Sequence, residues 1–187
     1  MQNRPTLVVV SGPPATGKST LARVLGTQLG CPTIIRDEIK QGVVMNSPDH
    51  RPDRDDPLNI PAWETFFNTI TVLLKGGVTV VAEAAFQDRL WRPGLEPLLD
   101  LADIRVVRCA APTSTIVDRI TERARTDSHR VAHGDTALLA DTEAGAYDPA
   151  QFVPISLDVP TLVVDTSDGY SPGTAEIEAF LLPRRPW

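Results

Sequence analysis

Thr6-Leu7-Val8-Val9-Val10-Ser11 runs directly into Gly12-Pro13-Pro14-Ala15-Thr16-Gly17-Lys18-Ser19. The first half is a short, continuously apolar, β-branched run, the pattern of a strand covered on both faces. The second half is G-x-x-x-x-G-K-[ST], the P-loop. Its two glycines let the backbone turn sharply, so that successive N–H groups face phosphate oxygens at a helix N-terminus, where the helix dipole also favours negative charge. Lys18 adds a charge for the β- and γ-phosphates, and Ser19 a hydroxyl for Mg²⁺. Downstream, Leu21, Val24, Leu25 and Leu29 recur at helical spacing, so strand, loop and helix follow in the order the motif requires. Gly12, Pro13, Pro14, Ala15, Thr16, Gly17, Lys18, Ser19 and Thr20 are therefore expected to hold ATP or GTP. No N-K-x-D motif that would read guanine is present.

Working outward, similar apolar runs occur at 33–36, 78–83, 104–109 and 161–165. Helical patterns separate them at about 17–29, 37–45, 59–75, 89–102, 113–126, 135–144 and 173–182. Strands alternating with helices predict an α/β fold with a parallel sheet covered on both faces. Residues 47–57 carry many prolines and no apolar period, which predicts a solvated loop: a plain connector or a flap over a substrate.

The 187 residues, 42% hydrophobic and 22% charged, suit a single domain over 1–187 that buries a core without disulfides. Cys31 and Cys109 stand outside any metal-ligand or C-x-x-C spacing and read as small buried hydrophobes. No apolar run is long enough to span a bilayer, so a cytoplasmic protein without a membrane partner is expected. With 24 acidic against 18 basic residues the net charge is −6, which disfavours polymeric nucleic acid as a partner. The sequence is silent on oligomeric state.

Three groups beyond the P-loop carry candidate chemistry. Asp37 follows the second strand, beside the crevice where open α/β sheets bind ligands. A carboxylate there can take the proton of an attacking hydroxyl, or simply cap the next helix. Lys40, three residues on, can hold a substrate anion or pair with Asp37. Glu83 ends the third strand, where a carboxylate orients Mg²⁺ or its waters, bonds an acceptor, or is merely solvated. Arg119, Arg123, Arg125 and Arg130 cluster after the fourth strand, where arginines can close over a transferring phosphoryl group or pair with surface acids such as Asp118 and Glu122. Phe86 and Arg89 follow Glu83 and are candidates for an acceptor pocket, whereas Trp63, Phe66 and Phe67 read first as core. His129 and His133 lack further ligands for zinc.

On the residues Gly12 to Ser19, Arg36-Asp37 with Lys40, Glu83, and the Arg119–Arg130 segment, the chain resembles the small P-loop kinases grouped as predicted kinases or AAA-domain-33 proteins. Polynucleotide 5′-hydroxyl kinase, zeta-toxin kinase and chloramphenicol phosphotransferase are among their relatives. The resemblance implies a three-layer α/β/α fold, a five-stranded parallel sheet of order 2-3-1-4-5 and a helical lid at about 126–136. It also implies an ATP- and Mg²⁺-dependent kinase acting on a hydroxyl of a small molecule: a metabolite, a nucleoside-like natural product or an antibiotic. In that scheme Asp37 is the general base, Lys18, Arg119, Arg123 and Arg130 stabilise the transition state, and Ser19 and Glu83 serve the metal. Lys40, Glu83, Phe86 and Arg89 would join Asp37 around the acceptor, and Val164-Asp165-Thr166 would lie near the adenine. Lys40 stands where these relatives often carry Arg, which bears against a phosphorylated or nucleotide-like acceptor. Two other readings compete: a nucleotide-binding regulatory module without an acceptor, and a kinase of nucleic-acid 5′-hydroxyl ends.

Overall fold

The computed structural model of the chain describes residues 4–47, 56–126 and 135–182. Five strands, β1 (Thr6–Ser11), β2 (Thr33–Ile35), β3 (Val80–Glu83), β4 (Asp103–Ala110) and β5 (Thr161–Asp165), form one parallel sheet in the order β2-β3-β1-β4-β5. This is the order expected from the resemblance. The helices are α1 (Lys18–Leu29), α2 (Arg36–Met45), α3 (Asn59–Lys75), α4 (Asp88–Leu95), α5 (Thr113–Thr126), α6 (Asp135–Glu143) and α7 (Thr174–Leu181).

Alternation along β1 explains why its run is apolar throughout. Leu7 and Val9 face one layer, with Phe66, Ile70 and Leu74 of α3 and Trp91 and Leu95 of α4. Val8 and Val10 face the other, with Leu21, Ala22 and Leu25 of α1 and Ile177 and Leu181 of α7. Both faces are covered, so the central positions Leu7 to Val10 are all apolar, and the polar residues of the strand, Thr6 and Ser11, stand at its two ends. α3 and α4 approach so closely that a Cβ on Gly94 would lie 2.2 Å from the Phe67 ring. A smaller third cluster packs Ile116 and Ile120 of α5 against Ala15 of the P-loop, with Leu138 and Leu139 of α6 behind them. The helix that carries the arginines is thus seated on the phosphate-binding loop itself.

Two boundaries differ from the sequence expectation. The helix expected over 89–102 ends at Leu95 and passes into a 3-10 turn at Glu96–Leu98. Pro97 has no N–H to continue the α-helical ladder, which favours a break at that point. β2 stops at Ile35, and Arg36 already belongs to α2, which puts Arg36 and Asp37 together in the first helical turn. The expected lid at 126–136 and the loop at 47–57 lie largely outside the described residues, as do Arg130, His129 and His133. Among the described residues, no helix is long and apolar enough to cross a membrane.

Candidate functional site

Parallel register brings the C-terminal ends of the strands to one edge. Val10 of β1 pairs with Glu83 of β3, and Ile35 of β2 pairs with Glu83 from the other side. The loop after β1 therefore emerges next to Glu83, and Arg36-Asp37 emerge just beyond it.

In the P-loop, Gly12 has φ 141°, and a Cβ there would stand 2.4 Å from the carbonyl oxygen of Cys109 on β4. Only glycine fits. Ala15 adopts φ 62°, unusual for a residue with a side chain, and Gly17 at φ 74° caps the start of α1. The bend is held internally: Thr16 Oγ1 donates to the Pro13 carbonyl at 2.8 Å, and Thr166 Oγ1, from beyond β5, donates to the Thr16 carbonyl at 2.8 Å. What remains open is the N-terminal turn of α1, whose N–H groups have no intrahelical partner.

Lys18 is buried and donates from Nζ to the Pro13 carbonyl at 2.8 Å. Burial pushes its pKa down; the nearby charges of Glu83 and Asp37 push it back up, and that of Arg123 lowers it further. Glu83 is also buried, and accepts a hydrogen bond from Ser19 Oγ at Oε2, 2.9 Å. Burial raises its pKa, the charge of Lys18 opposes the rise, and Asp37 adds to it. Asp37 thus acts electrostatically on both groups. It occupies the second position of α2, whose N-cap residue is Ile35. The capping role open to Asp37 in the sequence is therefore not the one it takes.

Two cavities flank this edge. The first, about 560 Å³, has Gly17, Lys18, Ser19 and Thr20 on one side, Arg119 and Arg123 of α5 on another, and Thr166, Gly169 and Tyr170 at the far end. The second, about 540 Å³, is lined by Arg36 and Asp37 of α2, Asn59, Ile60 and Trp63 of α3, Ala85 and Phe86 after β3, and Arg89, Leu90 and Pro93 of α4. Ser19 lines the first cavity and is bonded to Glu83, and Asp37 lines the second.

The expected site residues sort onto this geometry. Phe86, Arg89 and Asp37 do share one cavity. Arg119 and Arg123 share the other, as their spacing of four requires, but their surroundings differ. The Arg119 guanidinium donates to the carbonyls of Thr166 at 2.6 Å, Ser167 at 3.2 Å and Ala15 at 3.4 Å, so it braces the loop after β5 to the P-loop. Arg123 is the one whose charge reaches Lys18. Lys40 departs from its expected place. Its Nζ lies 2.6 Å from Oδ2 of Asp56, and the two side chains are 6% and 0% exposed. An ammonium desolvated in an ion pair, and absent from the walls of either cavity, is a tie between α2 and the start of α3 and is not available to a substrate anion. Phe66 and Phe67 are core, whereas Trp63 is half-buried and lines the second cavity.

Sequence reasoning named Arg36 beside Asp37 without giving it a role, and passed over Asn59. Arg36 donates to Asp37 Oδ1 at 3.2 Å and Asn59 Oδ1 at 2.6 Å, and its guanidinium sits 5.6 Å from the centre of the Phe86 ring. The available signal was an arginine adjacent to a strand-end aspartate.

The residues fit a nucleoside triphosphate and a divalent cation. A hydroxyl and a carboxylate, both hard oxygen donors, stand together at a helix N-terminus beside an ammonium group. Among the described residues no cluster of three His, Cys, Asp or Glu side chains exists, so a metal here would draw its remaining ligands from phosphate oxygens and water.

Comparison with known proteins agrees with this geometry. A Chloroflexus aurantiacus J-10-fl protein named as a candidate kinase superposes with a TM-score of 0.73 at 25% identity, over 96% of each chain. A sugar kinase from Janibacter sp. HTCC2649, in its unliganded form, superposes with a TM-score of 0.65 at 15% identity, over 95% of this chain and 94% of that one. A chain of the Pnkp1/Rnl/Hen1 RNA repair complex does so with a TM-score of 0.57 at 21% identity, over 83% of this chain and 49% of that one. The fold is thus that of the P-loop kinases. No functionally curated protein matches the chain. A family model matches residues 7–144, from within β1 to just past α6 and more than half of the sequence, and the chain belongs to that family, the AAA domain (AAA_33).

Proposed function

We propose that this protein is an ATP-dependent, Mg²⁺-requiring phosphotransferase that moves the γ-phosphoryl group onto a hydroxyl of a small molecule seated in the second cavity. The observation that carries the reading is the position of Asp37: it lines that cavity while its charge acts on Lys18, which lines the other, and on Glu83, which is bonded to Ser19. A nucleotide switch without an acceptor has no use for a carboxylate so placed.

In this reading the P-loop N–H groups and Lys18 hold the triphosphate, and Arg123 adds positive charge where the equatorial oxygens gain negative charge. Arg119, already committed to three carbonyls, shapes the wall near the nucleoside. Asp37 accepts the proton of the acceptor hydroxyl as its oxygen attacks the γ-phosphorus. The bond from that phosphorus to the bridging oxygen breaks, ADP leaves with the electron pair, and the proton passes from Asp37 to solvent. Mg²⁺, when bound near Ser19 and Glu83, would offset the charge of the phosphates.

The test is a mass-spectrometric screen of the protein with ATP and Mg²⁺ against hydroxylated metabolites, nucleosides, antibiotics and 5′-hydroxyl oligonucleotides. A phosphorylated small molecule is expected, with Asp37→Asn slowing transfer by about 10²–10⁴-fold at unchanged nucleotide affinity. Full activity in Asp37→Asn would remove the base assignment. A second reading, transfer to nucleic-acid 5′ ends, is favoured by the similarity to the RNA repair complex and opposed by the net charge of −6. Phosphorylation of the oligonucleotide alone would establish it.

A further inference from the structure

We infer that the acceptor is an alcohol carried on a flat, largely apolar skeleton, not a polyol; the inference rests on the phosphotransferase reading for the second cavity. The first observation is the state of the polar groups there. Arg36 is 13% exposed and bound to Asp37 and Asn59, and its face is turned to the Phe86 ring. The carbonyl of Asn59 is thereby occupied, and the indole N–H of Trp63 donates to the Leu90 carbonyl at 3.1 Å. The polar groups in the lining are thus the Asp37 carboxylate, the side-chain NH2 of Asn59, the Arg36 Nε–H, which has no hydrogen-bond partner, and the exposed Arg89. A sugar or sugar acid brings several hydroxyls, and each must exchange water for a protein partner on entering. Four polar residues stand in the lining against six apolar ones, so a ligand hydroxylated on every side leaves some hydroxyls against apolar surface.

The second observation is apolar surface left facing solvent. Ile60 is 65% exposed and Leu90 38% exposed, and both line this cavity, next to Trp63 and Pro93. The Trp63 ring is held with its centre 4.8 Å from that of Phe67, while Phe86 is buried beside the Arg36 guanidinium. A half-buried indole beside open aliphatic side chains suits a planar body, which covers them and recovers the hydrophobic free energy of doing so. A volume near 540 Å³ is in the range of pockets that enclose drug-sized ligands. The hydroxyl then lies at the Asp37 end, and the apolar body extends toward Leu90.

Binding is measured separately from transfer, with the protein saturated by the non-hydrolysable analogue AMP-PNP. Calorimetric titrations compare 2-naphthylmethanol and tyrosol with D-gluconate and D-glucose. The aromatic alcohols are expected to bind at least tenfold more tightly. Ile60→Asp and Leu90→Asp should each weaken them about tenfold while leaving AMP-PNP affinity unchanged, which shows that the variants fold. Equal or tighter binding of the polyols overturns the inference, as does failure of every probe to bind, or aromatic binding indifferent to both substitutions. A parallel assay with ATP separates the two claims. Aromatic alcohols that bind with the expected preference and are never phosphorylated count against the phosphotransferase reading, and polyols that are phosphorylated count against the acceptor class alone.

Discussion

Glu83 is held under opposing demands: burial favours its neutral form, while Lys18 and the Ser19 hydroxyl favour the anion, and burial prevails. A carboxyl whose folded-state pKa is raised contributes stability that is fully present below its unfolded value of about 4.5 and is lost as pH rises through the folded value. Glu83→Gln, which keeps an acceptor for Ser19 and does not titrate, should therefore gain on the wild type as pH rises above about 4.5 and level off once Glu83 has ionised. Urea denaturation of both proteins across pH measures this; a constant difference would mean that Glu83 titrates normally. Legibility at this scale followed sequence proximity. Residues 12–19 could be read because eight consecutive positions carry one task. Arg36 escaped because its role depends on Asn59 and Phe86, brought to it by other elements. Lys40 was misread because spacing within a helix points to Asp37 and is blind to Asp56, which reaches it from beyond the intervening loop.

Between elements, the Lys40–Asp56 pair ties α2 to the entry of α3. Asp56 uses its other oxygen to accept from the Leu58 N–H at 2.9 Å, which shapes the turn into that helix. Lys40→Met should cost about 3–5 kcal/mol in urea unfolding, because it strands a buried carboxylate, and Lys40→Met with Asp56→Asn should recover part of the loss. Equal instability of single and double variants would show that packing, not charge, is at stake. The elements themselves were readable to within a residue or two wherever apolar period and end signals agreed, as in α1, whose C-cap is Gly30 at φ 65°. α4 was the exception. Its apolar spacing continues past Leu95, and the missing N–H of Pro97 carries a veto that periodicity does not register.

For the molecule as a whole, the proposed function assigns nucleotide to the first cavity and acceptor to the second, so the first should answer to nucleotide alone. At about 100 times its Kd, a nucleotide that binds only the folded state adds about 2.7 kcal/mol. For a chain of this size that is a rise in Tm of about 5–11 °C. Differential scanning fluorimetry with AMP-PNP and Mg²⁺ should show it, and Lys18→Ala should abolish most of it; a shift retained in the variant would place the nucleotide elsewhere. At this scale the fold class was legible from alternating strands and helices, whereas the strand order was not, since it rested on resemblance and only the pairing register displays it. The brace between Thr166 and Thr16 gives the site a history as well as a shape. Thr16 is synthesised 150 residues ahead of the hydroxyl that holds its carbonyl, and Arg119 waits for the same segment to fill its hydrogen bonds. A nascent or truncated chain that ends before β5 therefore carries the phosphate-binding motif without its support. Firm capture of a nucleotide at this site is therefore expected only after β5 and the turn beyond it have been made, however early the motif itself leaves the ribosome.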